Sequence, residues 1–67
     1  MTLQQLKYVS MVEKCGSFSR AAQKLYVSQP SISNLVNALE EELGVTIFTR
    51  SSTGIAITNE GRELLKL

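Results

Sequence analysis

The stretch Ser17-Phe18-Ser19-Arg20-Ala21-Ala22-Gln23-Lys24-Leu25-Tyr26-Val27-Ser28-Gln29-Pro30-Ser31-Ile32-Ser33-Asn34-Leu35-Val36-Asn37 decides the fold. Phe18, Ala21, Ala22 and Leu25 fall at i, i+3, i+4 and i+7, the spacing of one helical face, and Ser17 stands where a helix cap belongs. The paired alanines permit a second helix to approach closely. After the brief connection Tyr26-Val27, Ser28 can cap the next helix, with Pro30 in its first turn, where a missing N–H costs little. At 100° per residue, Ile32, Leu35, Val36, Leu39 and Leu43 form one apolar stripe and Gly44 is the natural stop. Pro30, Ser33, Asn34, Asn37 and Glu41 then lie on the opposite face. Two helices joined by so few residues make a helix-turn-helix.

Working outward, Thr2 and Gln5 have the form of a capping box, and Leu3, Leu6, Val9 and Val12 recur at nearly helical spacing up to a stop at Gly16. Downstream, the β-prone segments 47–50 and 55–57 flank Ser51-Ser52-Thr53-Gly54, which reads as a hairpin loop ending in glycine. Thr58 offers a cap for a fourth helix, with Glu60 in its first turn and Leu64 and Leu65 as its apolar residues. The expected fold is mainly α: a winged helix-turn-helix with a three-helix core, a two-stranded β wing and the start of a linker helix. Residues 1–58 form that domain, with the helix-turn-helix at about 18–37 and the wing at about 47–57, and residues 59–67 open the linker or dimerisation helix.

With 67 residues, 43% of them hydrophobic, the chain is one small domain whose core yields only about 3 to 5 kcal/mol. Self-association or a longer parent chain is expected. The sequence has no histidine and a single cysteine, Cys15, which removes the commonest general base and leaves neither a zinc site nor a thiol dyad. No enzyme and no cofactor are expected. Cys15 itself reads either as a small packing residue at a helix end or as a redox sensor. The opening Met1-Thr2-Leu3-Gln4-Gln5 has no secretory character and no apolar run approaches membrane-spanning length, so a cytoplasmic protein without a membrane partner is expected.

The net charge of +1 hides a polarity. Lys7, Lys14, Arg20 and Lys24 against Glu13 give +3 over 1–39, whereas Glu40, Glu41, Glu42, Glu60 and Glu63 against Arg50, Arg62 and Lys66 give −2 over 40–67. A domain so polarised can present a basic face to nucleic acid. The glutamate run lies roughly 15 Å along the third helix from Ser31, so the N-terminal end of that helix must be the one that faces DNA.

A helix in the major groove needs side chains that donate and accept at base edges on a polar face backed by an apolar one. The third helix has both, and Gln29, Pro30, Ser31, Ser33, Asn34 and Asn37 are the candidate base readers. The other reading is that Ser28 and Ser31 merely cap, and that Ser33, Asn34 and Asn37 are solvated surface. Ser and Asn are mediocre in helix interiors, so four of them on one helix favours the reading role. Arg20, Lys24 and Ser28 are candidate backbone contacts, and Arg50 and Thr53 candidate wing contacts. Two readings stay open for Arg50, which can instead link to a glutamate of the third helix, and two for Leu64 and Leu65: a dimer seam, or a stripe packing on the first helix. A winged helix can also serve as a protein-interaction module, and that class differs from DNA reading in what the polar face meets.

Three motifs carry a family resemblance: Gly16-Ser17-Phe18-Ser19-Arg20-Ala21-Ala22, Leu25-Tyr26-Val27-Ser28-Gln29-Pro30-Ser31-Ile32-Ser33 and Leu39-Glu40-Glu41-Glu42-Leu43-Gly44. With Phe48-Thr49-Arg50 and Thr58-Asn59-Glu60-Gly61, they resemble the N-terminal DNA-binding domain of the LysR-type transcriptional regulators over essentially the whole chain. The resemblance implies a bacterial regulator that binds an interrupted palindrome in double-stranded DNA as a homodimer or higher oligomer joined partly through the linker helix. It also implies an effector domain and a small co-inducer in a longer parent chain; none of these 67 residues belongs to such a domain. By position, Gln29, Pro30, Ser31 and Ser33 match the family's major-groove residues and Arg50 its wing arginine. The chain departs from the pattern at Asn34, Asn37 and Thr53, where the family usually or often carries basic residues.

Overall fold

The computed structural model describes residues 2–52 and 54–66. Its elements run α1 (Leu3–Cys15), α2 (Phe18–Leu25), α3 (Gln29–Leu43), β1 (Phe48–Ser51), β2 (Gly54–Ile57) and α4 (Asn59–Leu65). Each helix starts where a side-chain oxygen can satisfy an orphan N–H. Thr2 Oγ1 accepts from the Gln5 N–H at 3.1 Å while the Thr2 N–H donates to Gln5 Oε1 at 2.8 Å, a complete capping box. Ser17, Ser28 and Thr58 cap α2, α3 and α4. The helices α1 and α3 end on Gly16 and Gly44, both left-handed. At the end of α2 the left-handed residue is Tyr26, φ 58°, with a side chain 95% exposed.

The core is built by α1, α2 and α3 and closed by the chain entering the wing. Val9, Val12, Phe18, Ala21, Ala22, Ile32, Val36, Leu39, Ile47 and Phe48 are buried together. The small Ala21 and Ala22 face the other helices, as their spacing anticipates. Two apolar positions expected on core faces lie outside. Leu3, the first residue of α1, is 84% exposed, and Leu43, the last of α3, 38%. In α1 the packing is completed by Tyr8, Met11 and Cys15. Cys15 is therefore a part-buried packing residue.

The wing is an antiparallel pair with Phe48 opposite Ile57, Thr49 opposite Ala56, Arg50 opposite Ile55 and Ser51 opposite Gly54. Ser51 and Gly54 thus belong to the ladder instead of the loop; Thr53 lies outside the described residues. Ile47 precedes the strand instead of opening it. Its N–H donates to Glu40 Oε2 at 2.6 Å, and the Phe48 N–H reaches the same oxygen at 3.2 Å. One carboxylate of α3 therefore holds the entrance of the wing.

On the other side, the Thr58 N–H donates to the Ile47 carbonyl at 2.8 Å, and its hydroxyl lies within reach of the Thr46 and Ile47 carbonyls while accepting from the Gly61 N–H at 3.0 Å. Gly61 is buried in α4 against this joint, where a side chain would collide with Ile47 and Ile57. Among the described residues no helix is long and apolar enough to cross a membrane.

Candidate nucleic-acid interface

The N-terminal turns of α3 present a polar surface on a rigid support. Ile32, Val36 and Leu39 lock the inner face into the core, which leaves Gln29, Pro30, Ser31, Asn34 and Asn37 exposed. Among the described residues, no side-chain hydrogen bond or ion pair engages Gln29, Asn34 or Asn37. Their amide donors and acceptors are available to an outside partner, the requirement for pairing with a base edge. Ser33 sits differently. It is half-buried, since it lies about 60° around the helix axis from Val36 and so at the margin of the polar face.

Ser28 and Ser31 do serve the backbone. Ser28 Oγ accepts from the Ser31 N–H at 3.3 Å and lies 2.7 Å from the Ser31 hydroxyl. Both side chains remain exposed, so capping and an outward contact are compatible: whichever hydroxyl donates to the other, the pair keeps one free O–H donor and unused acceptor capacity beyond the cap. Pro30 stiffens the first turn and adds an apolar surface beside these hydroxyls.

Arg20 and Lys24 project from the exposed side of α2, one turn apart. Arg50 leaves β1 and stacks its guanidinium over the Phe18 ring at 4.5 Å, and Phe18 in turn meets Phe48 edge-on at 5.8 Å. Within the chain, the contact that holds the Arg50 guanidinium is this ring. The carboxylate that ties α3 to the wing is Glu40, and it takes backbone N–H groups. A planar, weakly hydrated guanidinium on an aromatic face keeps its edges free for further hydrogen bonds. Leu64 and Leu65 are part-buried against the chain's own core. Among the described residues no group of three or more His, Cys, Asp or Glu could hold a metal ion.

Residues 3–62 match the model of the bacterial regulatory helix-turn-helix proteins of the LysR family. The chain belongs to that family. Among its LysR relatives, the HTH-type transcriptional regulator TfdT of Cupriavidus pinatubonensis is 37% identical over 65 residues, which cover 97% of this chain and 28% of TfdT. The chain thus spans less than a third of that regulator's length. Two solved LysR DNA-binding domains in complex with DNA superpose closely. That of CbnR has a TM-score of 0.92 at 42% identity, covering 98% of this chain and 76% of the other. That of BenM on catB site 1 DNA has a TM-score of 0.92 at 38% identity, covering 98% and 74%. At such identity the likeness extends beyond the winged helix-turn-helix fold to the family's own version of it.

Proposed function

We infer that this chain is the DNA-reading domain of a LysR-type transcription regulator and binds double-stranded DNA in a sequence-specific manner. The observation that carries the reading is the outer face of α3: exposed, polar, without a side-chain partner at Gln29, Asn34 and Asn37 among the described residues, and backed by a buried stripe. The two similar structures that are complexes with DNA support it. Residues 1–58 form the reading domain and 59–67 begin the linker helix. In this reading α3 lies in the major groove with Gln29, Pro30, Ser31, Ser33, Asn34 and Asn37 toward the bases. Arg20, Lys24 and Ser28 meet the backbone, and Arg50 and Thr53 meet the backbone or minor groove.

The site is an interrupted palindrome and the protein a homodimer or higher oligomer, joined through the helix that α4 begins. There Leu64 and Leu65 offer a partner copy whatever apolar surface their own core leaves uncovered. The protein works in the cytoplasm, carries no catalytic activity and takes no cofactor; a co-inducer acts on a longer parent chain.

Selection of bound DNA from a random duplex pool, followed by salt titration of two variants, tests this. Each neutralised phosphate contributes about −0.9 to the slope of log affinity against log salt, so a dimer using Arg20, Lys24 and Arg50 gives a slope of about −4 to −6. Arg50→Ala weakens binding to all sequences alike and flattens the slope by roughly 1 to 2. Asn34→Ala leaves the slope nearly unchanged, costs about 1 to 3 kcal/mol per half-site on the selected operator, and relaxes preference at one base pair. If Asn34→Ala binds every single-base variant as the parent does, α3 is not the reader and a protein partner takes its place.

A further inference from the structure

The last turn of α1 and the exposed side of α2 enclose a cleft of about 400 Å³ lined by Lys14, Cys15, Arg20, Gln23 and Lys24. Three of its five lining residues are cations and none is a carboxylate. No ion pair or hydrogen bond engages the side chains of Lys14, Arg20 or Lys24 among the described residues. All three are exposed, so their ammonium and guanidinium groups can turn into the cleft.

This arrangement works against the fold that carries it. Arg20 stands third in α2, in the turn where the helix dipole already presents positive charge, and no acidic residue occupies that turn. Lys24 lies four residues on, in the last turn of α2 where a cation suits the dipole, yet it shares a helix face with Arg20 and the two like charges repel. Lys14 approaches from another element. Its position in the last turn of α1 suits that helix's own dipole, but it adds a third charge to the cleft. A solvated basic surface with no ligand would gain by interspersed acids. Here an anion is what relieves the repulsion.

We propose that this cleft is a binding site for a run of phosphate groups. Arg20 supplies a planar fork that can hold two phosphate oxygens, Lys14 and Lys24 act as mobile point charges on either side, and the Gln23 amide donates to a further oxygen. The volume falls within the roughly 300–1,000 Å³ of small-molecule sites, more than one phosphate needs. The phosphates belong either to a strand of DNA passing beside the groove that α3 reads, a source that rests on the proposed function, or to a free polyphosphate.

The test uses the 67-residue chain with inorganic tripolyphosphate at low salt, followed by backbone amide shifts, alone and with the selected duplex present. Saturating shifts confined to residues 14–24 are expected, with affinity at least tenfold weaker in the Lys14→Ser/Lys24→Ser double variant and in Arg20→Gln. Thermal melting of both variants confirms that each is still folded where its affinity is read. Competition between tripolyphosphate and duplex, with Lys14→Ala flattening the salt slope by about 0.9 per subunit, assigns the site to the DNA backbone. Tripolyphosphate bound undiminished to the duplex complex assigns it to a free ligand. Absence of saturable shifts together with an unchanged slope in Lys14→Ala overturns the proposal. A parent that binds no duplex removes the DNA reading only, and the tripolyphosphate titration still decides the cleft.

Discussion

Replacing Gly61 by alanine sets two effects of opposite sign against each other. Gly61 lies inside α4, where an exposed glycine would gain about 0.8 to 1 kcal/mol on conversion to alanine. In the folded chain, however, a Cβ at this position falls 2.8 Å from the Ile47 carbonyl oxygen and from Ile57 Cγ1, and 2.9 Å from Ile47 Cγ2. Carbon atoms prefer about 3.5 to 4.0 Å, so α4 must withdraw by roughly 0.5 to 1 Å. The Ile47 oxygen cannot yield, because the Thr58 N–H holds it at 2.8 Å and the Thr58 hydroxyl lies 3.1 Å away. The Ile47 side chain is fully buried and has nowhere to rotate. Overpacking of this kind costs about 1 to 3 kcal/mol, and where a backbone atom is struck the upper half of that range applies. The clash therefore outweighs the propensity gain, leaving a net loss of about 1 to 2 kcal/mol. In a domain of this size each kcal/mol moves the midpoint by about 4 to 8 °C, so Gly61→Ala should melt about 5 to 15 °C lower. Thermal unfolding followed by circular dichroism reads the shift, and amide exchange at Gly61 and Thr58 locates it. A variant that melts higher than the parent would mean that α4 rests loosely on the wing and that its glycine is an ordinary helix defect.

Three further outcomes are expected. Glu40→Ala strips two buried-side N–H groups, those of Ile47 and Phe48, of their acceptor and should cost about 2 kcal/mol, with exchange of those two amides accelerating most and Glu40→Gln costing less; equal exchange in parent and Ala variant would dismiss the wing-entrance role. Tyr26→Gly relieves a left-handed, 95% exposed residue, a conformation that costs roughly 1 to 2 kcal/mol, and should raise stability by about 0.5 to 1 kcal/mol after the glycine's extra chain entropy; a lowered midpoint contradicts this. Cys15→Ser, at a part-buried packing position, should lower stability slightly and change DNA affinity less than twofold, with the same response to peroxide as the parent; a peroxide response confined to the parent would restore the sensor reading.

What the sequence by itself determined is the set of features whose physics is contained within a turn or two. Thr2 with Gln5, Ser17, Ser28 with Pro30, and Thr58 cap helices through bonds that span three residues, and Gly16 and Gly44 end them by their own backbone freedom. The stripe of Ile32, Val36 and Leu39 follows from the helical period alone, and with it the outward face of Gln29, Asn34 and Asn37. Only the tertiary structure decided where each stripe ends, leaving Leu3 and Leu43 exposed, and that Ser33 sits at a margin. It also decided that Arg50 rests on Phe18, that Glu40 holds the wing, that Lys14 joins Arg20 and Lys24 in one cleft, and that Gly61 must be glycine. These are contacts between residues brought together by the crossing of helices and the return of the hairpin, and a charge or a glycine carries no local mark of the neighbour it will meet.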